Sequence, residues 1–218
     1  MEHMCEICTM RILVVAATNF EIQSFTADNK HIEILITGVG IPAVMYHLQK
    51  KLLQNSFELV IQAGIAGTFT DQIALGEVVL VKQDTFADIG MEEKERFTSI
   101  FQSGFADKDA FPFRDGWLNN HSSIFDNSLL SAVKAITVNK VSDSTLQKQQ
   151  AIKAFAPEIE SMEGAALHYI CLQENIPFVQ LRSVSNLIGE RDKSKWKLKE
   201  AISNLEKELR ILIETVTK

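Results

Sequence analysis

Cysteine is scarce in this chain. It has three, Cys5, Cys8 and Cys171, too few for a disulfide framework. Cys5 and Cys8 form a Cys-x-x-Cys pair, but no second pair completes the four ligands of a structural zinc site. A redox pair usually opens a helix after a strand, whereas this one precedes the first strand candidate. It reads as part of a flexible leader over residues 1–9, with Met10 as an alternative start. Positive charge is also in short supply: 22 Lys and Arg face 28 Asp and Glu, for a formal charge of −6. That balance argues against the basic face of a nucleic-acid binder. No apolar run approaches the ~20 residues that cross a bilayer, and Met1–Met10 lacks the charged-then-apolar layout of a secretory signal. The expectation is a cytoplasmic protein with no nucleic-acid or membrane partner. No cluster of metal ligands stands out, so neither metal nor cofactor is expected.

What is present suits one globular domain. The 218 residues are 46% hydrophobic and 23% charged, enough to bury a continuous core. No repeat or Pro/Gly linker divides residues 10–218. Arg11–Ala17 is an unbroken aliphatic run, the pattern of a strand buried on both faces. His31–Thr37, Glu58–Ala63, Glu77–Lys82, Ala135–Asn139 and Phe178–Val184 are further strand candidates. The spacing of Ile41, Val44, Met45, Leu48 and Leu52 predicts a helix, with Pro42 in its first turn. Gly164–Asn175 and roughly Lys195–Val216 are also helical in pattern. Strands alternating with helices predict an α/β domain of three layers, in which helices flank a central mixed, mostly parallel twisted sheet. Phe86 to about His121 departs from the alternation. It is irregular and rich in aromatics, reading either as a satellite cluster over a sheet edge or as a wall over a site.

In open α/β sheets, ligands bind at the carboxyl ends of the strands. Those ends carry Thr18-Asn19-Phe20-Glu21, Gly38-Val39-Gly40, Gly64-Ile65-Ala66-Gly67 and Ser185-Asn186. Glu160-Ser161-Met162-Glu163 precedes the helix at Gly164. Two carboxylates (Glu21, Glu163), one amide (Asn186) and two glycine turns are thus candidates for a common pocket. Neither glycine turn has the dinucleotide or P-loop form, and Gly38 and Gly40 read as a helix entry. Cleaving a glycosidic bond needs a carboxylate to take a proton from water. It also needs tolerance of an oxocarbenium-like sugar and a hydrogen-bonding group for the departing base. Composition alone does not assign these tasks, and glutamates at element ends are often caps or solvated charges.

At these positions the sequence resembles the nucleoside phosphorylase/hydrolase superfamily. The nearest branch is the one that holds methylthioadenosine/S-adenosylhomocysteine nucleosidases and futalosine hydrolases. The resemblance runs from Arg11 almost to the C-terminus. It is carried by Gly64-Ile65-Ala66-Gly67, Leu75-Gly76-Glu77-Val78-Val79, Glu160 to Ala166, and Leu181-Arg182-Ser183-Val184-Ser185-Asn186. It implies that Glu21 orients and activates the attacking water, and that Met162 and Glu163 pack on the ribose and bind its hydroxyls. Gly64, Ile65, Ala66 and Gly67 are implied at the substrate. Arg182 and Ser185 match the strand behind the purine-contacting residue, and Val141 and Ser142 fall near the segment that contacts the base. The loop Thr18–Glu21 has no Arg or Lys to hold phosphate, which favours water as acceptor.

Asn186 departs from the adenine-releasing pattern, which has an aspartate there. An amide donates and accepts hydrogen bonds but cannot supply a proton as an acid, which suits a 6-oxo purine. The Arg-x-x-Ser-Asn stretch, Ala87-Asp88-Ile89-Gly90 and Arg191-Asp192…Trp196 resemble the futalosine-cleaving branch. The implied reaction releases hypoxanthine and dehypoxanthine futalosine, in menaquinone biosynthesis. The resemblance also implies a homo-oligomer, dimer or higher. Trp196 and the 86–121 segment, Trp117 included, are then candidate walls for the aromatic acid beyond the 5′ carbon. The competing readings are a methylthioadenosine-type nucleosidase, a phosphorylase, or a non-catalytic nucleoside-binding homologue. Residue by residue, Met162 also reads as core filler, Asn186 as a cap, Arg182 as a buried ion-pair partner and Trp196 as an anchor for the last helix. Glu200, Glu206 and Glu208 read as a solvated helix face.

Overall fold

Residues 10–25, 31–94, 96–190 and 192–217 are described by the computed structural model. Cys5, Cys8 and the expected leader lie outside the described residues, as does Arg191. The first half contains β1 (Ile12–Ala16), β2 (Ile32–Ile36), α1 (Ile41–Gln54), β3 (Leu59–Thr68), β4 (Val78–Asp84), β5 (Gly90–Glu93) and β6 (Arg96–Ser99). The second contains β7 (Leu118–Asn119), α2 (Ile124–Asn127), β8 (Ala132–Thr137), α3 (Thr145–Phe155), β9 (Ile159–Ser161), α4 (Gly164–Gln173), β10 (Phe178–Leu187) and α5 (Leu198–Val216).

β1 is buried at every position, which is why its run shows no polar alternation. Ile12, Val14 and Ala16 pack with Leu205, Leu209, Leu212 and Ile213 of α5. Leu13 and Val15 pack with Val44 and Leu48 of α1 and with Ala166, Leu167 and Ile170 of α4. Successive side chains of a strand point to opposite faces, so one aliphatic run fills both layers of core. Each such side chain contributes roughly 1.5–3 kcal/mol when fully buried. The sheet runs β10-β4-β8-β9-β3-β1-β2, and β10 also pairs β3, closing β3, β10, β4, β8 and β9 into a ring. Parallel pairings outnumber antiparallel ones. The expected α/β architecture, a central mixed sheet between helical layers, is the one observed.

Several expected boundaries differ. Gly64 to Gly67 do not form a turn: β3 continues through them to Thr68, paired in parallel with β10. β10 likewise continues past Ser185 and Asn186 to Leu187, with a register shift between Val184 and Asn186. β8 begins at Ala132 and ends at Thr137, earlier at both ends than expected. α5 begins at Leu198, after a short 3-10 turn over Lys193–Lys195.

Glu206 does not belong to the solvated face of α5. It is 8% exposed and its Oε1 accepts from the Ser24 amide. Arg210 donates to the Ser24 carbonyl at 2.6 Å, so α5 grips the loop that carries Glu21.

The 86–121 segment contains the β5–β6 hairpin rather than irregular chain alone. Its rings form a satellite cluster: Phe113 lies 5.1 Å from Phe101 and 5.9 Å from Tyr169 of α4. Trp117 sits edge-on to Phe155, with the Lys134 ammonium 4.3 Å from its ring centre.

Candidate active site

A cavity of about 330 Å³ opens at the carboxyl ends of β1, β3 and β10. Of the expected site residues, Glu21, Ile65, Ala66, Gly67, Val141, Ser142, Met162, Glu163, Ser185, Asn186 and Trp196 line it. Gly64 and Arg182 lie behind the lining, and no described residue of the 86–121 segment lines it. The wall reading of that segment, Trp117 included, therefore does not hold for this cavity within the chain. Phe20, Val39, Glu160, Ile188 and Glu190 also line the cavity and were not among the expected site residues. Phe20 and Val39 are 52% and 56% exposed. The available signal was their place in the sequence, inside the strand-end stretches Thr18–Glu21 and Gly38–Gly40.

Glu21 rides on a 3-10 turn over Asn19–Ile22 that starts straight after β1. Its Oε2 accepts from the Thr18 amide at 3.0 Å and its Oε1 from the Ile65 amide at 3.2 Å. The side chain is 6% exposed. Burial raises its proton affinity above the ordinary carboxylate value. Arg182 opposes that rise, Glu163 adds to it, and the Ile65 and Thr18 amides oppose it. A carboxylate in this state is a better base than one in water.

Glu163 is the N-cap residue of α4, and its Oε1 accepts from the Gly40 amide at 3.0 Å. Gly40 has φ +92°, a conformation that disfavours any side chain. The Gly38–Gly40 turn is thus a helix entry, as expected, and also a donor to Glu163. Arg182 of β10 stands between the two glutamates. Its Nη1 is 3.7 Å from Glu163 Oε2 and donates to the Ile65 carbonyl at 3.4 Å, while Nη2 donates to Gln62 at 2.9 Å. Arg182 is thus the buried ion-pair partner foreseen as its simpler role.

Asn186 is held by its neighbours. Its Oδ1 accepts from the Ser185 hydroxyl at 2.9 Å, and its Nδ2 donates to the Leu187 carbonyl at 3.0 Å. Ser142 donates through both its amide and its hydroxyl to Glu160, at 2.8 and 2.7 Å, which fixes the Val141–Ser142 edge of the cavity. The Trp196 indole donates to the Glu190 carbonyl at 3.0 Å, holding the ring at the wall. Among the described residues, no group of three or more His, Cys, Asp or Glu is placed to hold a metal, and no helix is long and apolar enough to cross a membrane.

Two buried glutamates thus bracket a buried arginine at the strand ends of a mixed α/β sheet. The chain matches the Phosphorylase superfamily over residues 9–218 and belongs to that family. It is similar to a futalosine hydrolase of Thermus thermophilus, 28% identical over 182 residues, 82% of this chain and 80% of that protein. It is similar to the same degree, 28% over 182 residues, to a 5′-methylthioadenosine/S-adenosylhomocysteine nucleosidase of Staphylococcus aureus, covering 79% of this chain and 77% of that protein. Its fold superposes on a Helicobacter pylori nucleosidase of the second kind with a TM-score of 0.78 at 15% identity, over 95% of this chain and 99% of the other. A Helicobacter pylori futalosine hydrolase gives 0.77 at 15% identity, over 95% and 98% of the two chains.

Proposed function

We propose that the chain is a nucleosidase that cleaves the N-ribosidic bond of a purine nucleoside with water. One observation carries the choice of water: among the described residues lining the cavity none is Lys, Arg or His, while Glu21, Glu160, Glu163 and Glu190 all line it. Phosphate needs cationic or N–H donors, and four carboxylates repel it. Glu21 takes the proton of the attacking water, its affinity raised by burial. Glu163, fixed by Gly40 and Arg182, accepts from the sugar hydroxyls and faces the positive charge that develops on the ribose. Met162 packs on the sugar. The Val141–Ser142 edge and Asn186 meet the base.

The base proposed is a 6-oxo purine. Such a base spreads its departing charge onto the carbonyl oxygen and leaves with hydrogen bonds rather than a full proton. Asn186 offers an N–H, and its own oxygen is already committed to Ser185. Futalosine is the substrate this reading favours, with its aromatic acid passing out between Phe20 and Trp196. The second reading is a methylthioadenosine/S-adenosylhomocysteine-type nucleosidase, favoured by the equal identity to a relative of that name. Turnover in heavy-oxygen water tests the reaction class: label on the anomeric hydroxyl of the released sugar supports water as nucleophile, and unlabelled sugar phosphate overturns it. Residues 10–218 acting as one catalytic domain, in a homo-oligomer, completes the proposal.

A further inference from the structure

Beneath the cavity lies a fully buried acid that takes no part in its lining. Asp84, the last residue of β4, has no exposure. Its Oδ1 accepts from the Thr85 amide at 2.8 Å and from the Thr137 hydroxyl at 3.0 Å. The same Thr137 oxygen accepts from the Ala165 amide at 2.7 Å, in the first turn of α4. Asp84 Oδ2 and Gln180 Nε2 lie 2.2 and 2.1 Å from the point a Gly164 Cβ would occupy. The two polar atoms therefore close over the residue that follows Glu163. No side chain other than glycine fits there.

Burying a carboxylate is costly, and an apolar residue of similar size is often the more stable alternative. Burial pushes the Asp84 carboxyl up to about 7, against the Thr137 hydroxyl, the Arg182 charge, the Gln180 amide and the Thr85 amide. His168 of α4 adds no charge. Burial holds it neutral with a pKa of about 3, and its Nδ1 lies 3.2 Å from the Leu118 carbonyl. Arg182 is thus the cation that Asp84 senses. One acid is tied through Thr137 to the helix that starts at Glu163.

We propose that Asp84 is a positioning residue for Glu163: through Thr137, and by closing over Gly164, it fixes the first turn of α4, so that Glu163 stays on Gly40 and aimed at the sugar. Asp84 itself touches no substrate. The kinetic part of this inference rests on the nucleosidase proposal, and the structural part does not.

The test uses Asp84→Ala, Asp84→Asn and Thr137→Val, with amide hydrogen exchange followed at Gly40 and Ala165. Exchange at both sites is expected to rise by about tenfold in Asp84→Ala, the loss of roughly one hydrogen bond's worth of protection, with Val14 of the core unchanged. Asp84→Asn keeps an oxygen for Thr137, so protection at Ala165 is expected to return. If the alanine variant does not fold, Thr137→Val, which removes only the relay hydroxyl, is expected to raise exchange at Ala165 and Gly40. Unchanged exchange at Gly40 in the folded variants overturns the proposal. Kinetically, KM for a ribonucleoside is expected to rise more than KM for its 2′-deoxy analogue, because Glu163 acts on the hydroxyls. Equal losses on both contradict it. A wild-type chain that cleaves no nucleoside defeats the functional proposal, while the exchange measurement still decides the role of Asp84.

Discussion

The Arg182 guanidinium stands 3.7 Å from the Glu163 carboxylate, with side-chain exposures of 1% and 7%. On its other side, Arg182 Nη1 lies 2.2 Å from the point where a Gly64 Cβ would stand, and Glu21 Oε1 lies 3.0 Å from the same point. A missing side chain in the middle of β3 thus lets one cation serve two acids. Gly64→Ala is expected to push Arg182 away, with a destabilisation of roughly 1–3 kcal/mol from overpacking and a fall in kcat. Urea midpoints and steady-state rates check it. An alanine variant with wild-type values contradicts the arrangement.

Replacing Glu21 by Gln removes the base and keeps the shape. The expected result is a fall in kcat of roughly 10²–10⁴-fold with thermal unfolding little changed. The base works ionised, and its proton affinity is raised by burial. The acid limb of kcat/KM should therefore lie above the ordinary carboxylate value of 4.5, with activity lost as pH falls through it.

Asp84 should make the pH dependence of stability differ between the wild type and Asp84→Asn. Its carboxyl is raised from 3.8 to about 7 by burial, so the folded chain binds a proton that the unfolded chain has already released. That contribution is fully present below about 3.8 and is lost as pH rises through about 7. Buried His168, lowered from 6.5 to about 3, adds an opposing rise over much of the same range. Denaturant unfolding from pH 4 to pH 8 should therefore show the wild type losing stability relative to Asp84→Asn, in which only the opposing rise remains. Curves of equal slope contradict the assignment.

The two tryptophans should behave differently. Trp196 lines the cavity, whereas Trp117 packs on Phe155 under Lys134. Trp196→Ala is expected to weaken turnover of a nucleoside with a long 5′ substituent more than that of inosine. Trp117→Ala should leave the ratio of the two rates unchanged. Comparing kcat/KM on both substrates decides it.

The parts of the fold legible in the sequence were those whose signal is local. Arg11–Ala17 reads as a buried strand because every side chain is apolar, and α5 reads as a helix because its buried residues recur at helical spacing. Gly64-Ile65-Ala66-Gly67 misled because a glycine pair in sequence looks like a turn. Here Gly64 is dictated by Arg182, more than a hundred residues away in the chain. α3 has no buried residue and so no apolar period, although its capping box, Ser144 with Gln147, was a local mark of its start. Glu206 looked solvated because its partner, the Ser24 amide, lies across the fold. Glu21, Glu163 and Asn186 were legible as a group from their places at strand ends, and resemblance supplied only their roles. Asp84 was not, since nothing in a strand's last residue announces that it will be buried under a helix.

The most direct measurement incubates the purified chain separately with futalosine, methylthioadenosine and inosine in phosphate-free buffer and identifies the base released. The account predicts hypoxanthine from futalosine without added phosphate. Release of adenine from methylthioadenosine with no hypoxanthine from futalosine would contradict the role given to Asn186. An absolute need for phosphate, or no base from any of the three, would contradict the water-dependent cleavage assigned to Glu21.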